Sequence, residues 1–203
     1  MDDQELEQLT VAACAGDDGA IDKLVEHHLP ELRGFVRLRV GPLIRAQESH
    51  SDLVQSVCRE VLANRSRFRH PNPSGFKRWL FLTALRKISN RRDHYLALKR
   101  DVGRNVAPRP HNSSMTAESL LDCYGTLSTP SAHLAAKEQT EQLEAAFDEL
   151  PDEYREVITL AHIVGMSRAE IAEQLGKSEG AVRMILHRAM SAVARNLEVY
   201  DQD

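Results

Sequence analysis

The stretch from Ser167 to Ala189 constrains this chain more than any other. Ser167 and Glu170 form an S-x-x-E capping box, in which hydroxyl and carboxylate satisfy the orphan amide donors of a helix start. Ile171, Ala172 and Leu175 follow at helical spacing, and Gly176 supplies the left-handed residue that stops the helix. Ser178 then caps a second helix. On that helix Val182, Ile185, Leu186 and Ala189 share one face, Arg183, Met184, His187 and Ser191 the other, with Arg188 on the flank. A capped helix, a glycine turn and a helix with a basic outer face read as a helix-turn-helix whose outer helix enters a DNA major groove. Its first turn offers free N–H groups, and Gly180 lets them approach a phosphate closely. Arg183 can bond a guanine edge bidentately, and His187 and Arg188 can reach bases or phosphates. A plain helical hairpin packed in a core is the alternative.

The rest of the chain is helical in character. Of 203 residues, 42% are hydrophobic and only 5% aromatic, with 10 Gly and 8 Pro, which disfavours a β-sandwich or barrel. Leu143, Phe147 and Leu150 mark a helix ended by Pro151, and Tyr154, Val157, Ile158 and Ala161 mark the next. In the first half, Ala20, Ile21, Leu24, Val25 and His28 form an apolar face that Pro30 is expected to end or restart. Leu32, Val36 and Val40 continue to Gly41–Pro42. Ser51 is the expected cap of a further helix with Leu53, Val54, Val57 and Val61 inward. Prolines 71 and 73 with Gly75 break the chain into a loop that carries His70, Asn72 and Ser74. The helix beginning near Ser74 or Gly75 is apolar almost all round from Trp79 to Leu85, then turns cationic through Arg86, Lys87, Arg91 and Arg92. The expected architecture is all-α: a helical bundle over 10–97, a linker over 98–136 with Pro108, Pro110 and Pro130 and a short turn near Leu120–Leu121, and a helix-turn-helix domain over 137–200.

Charge is segregated along the chain. The formal net charge is −4, but residues 1–26 carry a net −7, residues 59–104 a net +10, residues 138–156 a net −7 and residues 167–195 a net +2. The +10 stretch contains Phe68, Phe76, Trp79 and Tyr95, and bases interleaved with aromatics suit a phosphate backbone with unstacked bases. His70, Asn72 and Ser74, small polar side chains on a constrained loop beside it, can line a pocket for one flipped-out base; an ordinary proline-rich turn is the alternative.

Other classes fit poorly. Cys14, Cys58 and Cys123 are odd in number and lack CxxC spacing, so neither a disulfide scaffold nor a zinc knuckle is expected, and a reducing compartment is. The acidic N-terminus lacks the apolar core of a signal peptide, and no apolar run approaches the ~20 residues of a membrane span, so the chain reads as cytoplasmic. Nine histidines are scattered, without HExxH or a glycine-rich phosphate loop, so no catalysis, metal or cofactor is expected.

Four segments, in order, resemble a known family. Asp52-Leu53-Val54-Gln55 is similar to the DLVQ signature of bacterial sigma factors, and Trp79-Leu80-Phe81-Leu82-Thr83-Ala84 with Arg91-Arg92 resembles their next characteristic stretch. Leu150 to Val157 resembles the start of their C-terminal domain, and Ser167 to Gly176 with Val182-Arg183 and His187-Arg188-Ala189 resembles its helix-turn-helix. With only a linker between the halves, the layout resembles the extracytoplasmic-function subgroup of the sigma-70 family. The resemblance implies that Asp52, Leu53, Gln55 and Ser56 dock on core RNA polymerase. It implies that His70, Asn72, Ser74, Lys87, Arg91 and Arg92 serve the melted −10 element, with Trp79 in the core. It implies that Ser178, Arg183, Met184, His187 and Arg188 serve the −35 duplex. It also admits an anti-sigma regulator as partner. Ser56 stands where the family often has an acid and Cys58 where it has an aromatic, and the promoter sequence does not transfer.

Two other functions compete. A regulator binding duplex DNA through the helix-turn-helix alone would be indifferent to Asp52→Ala. A helical adaptor that never touches DNA would be indifferent to Arg183→Ala and Arg91→Ala.

Overall fold

The protein, seen in a computed structural model, is described over residues 1–99 and 134–200, and the described residues are helices and turns without strands. The expected linker core, the turn near Leu120–Leu121 and Cys123 lie outside the described residues.

The first helical unit runs α1 (Asp3–Cys14), α2 (Asp18–Arg39), α3 (Pro42–Arg45), α4 (His50–Ala63) and α5 (Pro73–Lys99). The second runs α6 (Leu134–Asp148), α7 (Asp152–Ile158), a π turn (Thr159–Ile163), α8 (Arg168–Leu175) and α9 (Glu179–Tyr200). Ile21, Leu24, Leu32, Phe35 and Val36 of α2 pack against Leu53, Val57 and Val61 of α4 and Phe76, Leu80, Phe81 and Ala84 of α5, all essentially fully buried. Phe147, Val157, Ile158, Ile171, Val182, Ala189 and Val193 build the second core.

Two local expectations need correction. Pro30 does not interrupt α2, which is continuous from Asp18 to Arg39. Proline removes one N–H bond and costs about 3 kcal/mol inside a helix. The fully buried Leu24, Leu32, Phe35 and Val36 flanking it each contribute about 1.5–3 kcal/mol and outweigh that cost. The cap of α4 is Ser49, not Ser51: its hydroxyl accepts from the Asp52 N–H at 3.1 Å and donates to Asp52 Oδ2 at 2.7 Å. At the N-terminus Asp2 caps α1 by accepting from Glu5 N–H (2.7 Å), and Thr10 and Ala13 are buried.

The second unit follows its local signals closely. The Ser167–Glu170 box is complete, and Gly176 adopts the left-handed conformation at φ 63°. Ser178 Oγ accepts from Ala181 N–H at 3.2 Å.

The two units are docked on one another. Arg37 pairs with Glu144 (3.3 Å), Arg39 with Asp152 (3.4 Å) and Glu156 (3.5 Å), Arg45 with Asp148, Arg78 with Glu170 (2.6 Å) and Arg92 with Asp152 (2.9 Å).

Candidate nucleic-acid interface

The loop before α5 is held by its own polar atoms. Asn72 Oδ1 accepts from Gly75 N–H at 2.6 Å, so Asn72 caps α5 and Pro73 takes the first helical position, where no N–H is needed. Gly75 is required by a close approach: a Cβ there would lie 2.5 Å from the His70 Cβ. The loop folds back on the helix and leaves a cavity of about 490 Å³ lined by His70, Asn72, Ser74, Arg78, Trp79 and Arg86 from the first unit and Glu170 from the second. That volume lies in the range of small-ligand sites.

The aromatics behind the cavity form a mostly edge-to-face cluster. The Phe68 ring lies 5.3 Å from Phe76 and 5.4 Å from Trp79, and Phe76 lies 5.9 Å from Trp79. Phe68 and Phe76 are buried, but Trp79, expected in the core, is half-buried and lines the cavity. It offers an aromatic face to a planar group. The residue-type reading missed Trp79, Arg78 and Arg86 as lining residues, although the spacing 78-79-82-86 on one helix face is a signal that could have found them.

Beyond the cavity, the cationic end of α5 is charge-compensated. Lys87 Nζ meets Glu60 at 2.6 Å, Arg91 meets Glu48 at 3.2 Å, and Arg92 meets Asp152. Asp152 receives three guanidiniums, adding Arg155 (2.7 Å) and Arg39. Burial alone would push its carboxyl up; Arg155, Arg39 and Arg92 more than reverse this and hold it below the usual carboxylate range.

The α4 segment divides. Asp52 and Gln55 are exposed and Ser56 is half-buried, but Leu53 is 1% exposed and packs in the core. Leu53 therefore positions the helix rather than presenting a surface, a correction that the inward i, i+4 spacing with Val57 already signals. Asp52, bonded to Ser49, is also part of the α4 cap.

On α9 the expected faces are realised. Val182 and Ala189 are buried, Ile185 and Leu186 partly so, and Arg183, Met184, His187 and Arg188 are exposed, Met184 at 47%. Arg183 and Arg188 make no ion pair among the described residues. Open space surrounds Gly180.

Comparison with known proteins agrees with this layout. A model of Sigma-70 region 2 matches residues 24–95, and a model of Sigma-70, region 4, matches residues 140–193. The chain is 27% identical over 190 residues to the ECF RNA polymerase sigma factor SigD of Mycobacterium tuberculosis, covering 94% of this chain and 82% of SigD. It is 29% identical over 180 residues to ShbA of Streptomyces griseus, an ECF RNA polymerase sigma factor, covering 88% of each. Its fold is similar to that of CnrH in complex with the cytosolic domain of CnrY, with a TM-score of 0.56 and 25% identity over 96% of this chain and 98% of that one. With both regions present in order, the chain belongs to the ECF group of the sigma-70 family: it is a sigma factor that binds core RNA polymerase and directs promoter recognition and transcription initiation.

Proposed function

We propose a division of that work among named residues and over three segments: a polymerase- and −10-binding unit over 10–97, a connecting linker over 98–136 and a −35-binding unit over 137–200. The cavity carries the proposal: a hollow roomy enough for a base, with His70, Asn72 and Ser74 on its rim, an aromatic face at Trp79 and two arginines at its edge. It takes one unstacked base of the −10 element, while Lys87, Arg91 and Arg92 hold the adjacent backbone. On α9, Arg183, Met184, His187 and Arg188 read the −35 duplex, and Ser178 leaves the first-turn amides of that helix facing a phosphate. Asp52, Gln55 and Ser56 dock on the polymerase, with Leu53 beneath them.

Opening of the duplex then draws on binding alone, with no covalent chemistry and no cofactor in this chain. Among the described residues no helix is long and apolar enough to cross a membrane, and the work takes place in the cytoplasm. By analogy with CnrH, whose solved form carries the cytosolic domain of CnrY, a protein partner that covers these surfaces would act as an anti-sigma regulator.

Run-off transcription with purified core polymerase tests the assignment. Arg91→Ala with Arg92→Ala is expected to weaken all promoters alike and to flatten the log–log salt dependence by about 0.7 for each single-strand phosphate no longer neutralised. Asp52→Asn, which keeps an acceptor-bearing side chain at the helix start, is expected to weaken holoenzyme assembly. Tight operator binding without polymerase, unaffected by Asp52→Asn, would instead favour an independent duplex-binding regulator.

A further inference from the structure

A second cavity, separate from the one before α5, opens where α3 and the later turns of α5 meet the start of α7. It holds about 170 Å³ and is lined by three guanidiniums, Arg39, Arg92 and Arg155, with Asp152 among them. Its apolar wall includes Ile44, Ile88 and Leu96. Ile44 and Ile88 belong to the apolar cluster that runs through both units, and Leu96 is 41% exposed. Arg39 and Arg155 are buried, 3% and 7% exposed. Asp152 accepts from all three guanidiniums. Farther out, Glu156 meets Arg39 (3.5 Å), Asp93 meets Arg92 (3.4 Å), and Asp148 lies 3.9 Å from Arg155 and closer to Arg45. Formal charge is therefore balanced, but N–H donors are in excess. Arg39 Nε and Arg155 Nε and Nη1 are buried with no hydrogen-bond acceptor among the described residues, and a buried donor left unmatched is costly. Burial pushes the Arg39 guanidinium below its ordinary value; Glu156 and Asp152 oppose this, and the Arg155 and Arg92 charges add to it. Gly41 makes room for the arrangement: a Cβ there would lie 3.1 Å from Arg155 Nη1.

We propose that this cavity binds a small organic acid as its anion, with the carboxylate on the Arg39 and Arg155 guanidiniums and a body of a few carbons against Ile44, Ile88 and Leu96. Three observations select that class. The guanidiniums already share one carboxylate, Asp152, and the planar guanidinium fork matches a planar carboxylate with two parallel bonds. The apolar wall rewards an organic body and gives nothing to a fully hydrated inorganic anion. The volume lies below the roughly 300 Å³ at which sites for drug-sized ligands begin, so the body is short. The assignment does not depend on the reading of the α5 cavity. Arg39 and Arg92 belong to the first unit and Arg155 to the second, so an acid held by all three also stabilises the contact between them, by linkage.

The test titrates the full chain with butyrate at low ionic strength, followed by ligand-observed NMR and by the melting temperature. Butyrate is expected to bind saturably, to raise the melting temperature, and to bind about tenfold more tightly than acetate, which lacks two of its methylenes. Butan-1-ol, which has the body without the charge, and inorganic phosphate, which has the charge without the body, are each expected to bind at least tenfold more weakly than butyrate. Leu96→Glu sets a like charge at the cavity wall on a partly exposed position and is expected to weaken butyrate about tenfold. Leu98→Glu adds the same charge two residues on, at a 56% exposed side chain outside the cavity, and is expected to leave binding unchanged. Gly41→Ala presses on Arg155 without straining the backbone, since Gly41 sits at φ −76°, and is expected to weaken butyrate as well. Circular dichroism checks that each variant folds; the Gly41 and Leu96 variants probe opposite sides of the cavity, so either one alone decides the outcome if the other fails to fold. No saturable butyrate binding to the wild-type chain would overturn the proposal. So would equal binding of butan-1-ol, or equal weakening by Leu98→Glu. Phosphate binding as tightly as butyrate would overturn the choice of an organic acid.

Discussion

The cationic end of α5 and the outer face of α9, the two surfaces proposed to meet nucleic acid, are kept in opposite states. On α5 and its entry, Arg78, Lys87, Arg91 and Arg92 each face a carboxylate, two of those carboxylates coming from the other unit. On α9, Arg183 and Arg188 stand in solvent beside exposed Met184 and His187. The difference matches the two tasks. Duplex DNA presents its major-groove edges without being deformed, so a bare face can search for them. A melted strand exists only after opening, and a bare +10 surface would hold any duplex by its phosphates; compensation lowers that non-specific affinity.

The most disruptive way to break the comparison is to remove the platform beneath one side of it. Phe76→Ala, which deletes a ring buried against Phe68, His28 and Trp79, should cost the first unit about 3–5 kcal/mol. Chemical denaturation followed at the single tryptophan, Trp79, would read it, and an unchanged midpoint would refute the packing described. Next, Arg183→Ala should cost about 1–3 kcal/mol of promoter binding and relax the sequence preference at one −35 position. Binding selection with holoenzyme would show both effects, whereas the Arg91/Arg92 pair should leave preference intact.

Smaller still, Ser167→Ala removes half of the capping box that starts α8 and should lower the stability of the second unit by about 1 kcal/mol, read by thermal melting. The last test uses pH. Burial alone would raise the Glu31 carboxyl, but the neighbouring His28 ring (3.6 Å) and the Lys77 ammonium (3.0 Å) pull it down to about 2. A depressed carboxylate stabilises the fold above its ordinary value of 4.5 and loses that contribution as pH falls toward 2. Acid titration of stability should therefore fall less steeply in Glu31→Gln than in wild type over that window. With Glu31 about a third exposed and screened by solvent, the effect should be modest.

Legibility varied with the range of the interaction. In the second unit the helix starts at Ser167 and Ser178, the stop at Gly176 and the outward set on α9 could be read directly, because caps and i, i+4 faces are settled within a few residues. In the first unit the same reasoning misplaced the α4 cap by two residues, since Ser49 and Ser51 both offer a hydroxyl and only the Asp52 amide distinguishes them. It broke α2 at Pro30, because the burial that overrides proline comes from α4 and α5. It treated Trp79 as core, because hydropathy does not register the hollow left where Gly75 draws the loop against His70.

The sequence by itself determined the helical class, the two-part layout, the +10 stretch beside its aromatics and the outward face of α9, all products of composition, short-range capping and periodicity. Tertiary structure alone decided which of those cations are already neutralised and that Glu170 and Asp152 cross from one unit to the other. Such pairings join residues 60 to more than 100 positions apart, and local spacing carries no information about which distant carboxylate a folded surface will bring to an arginine.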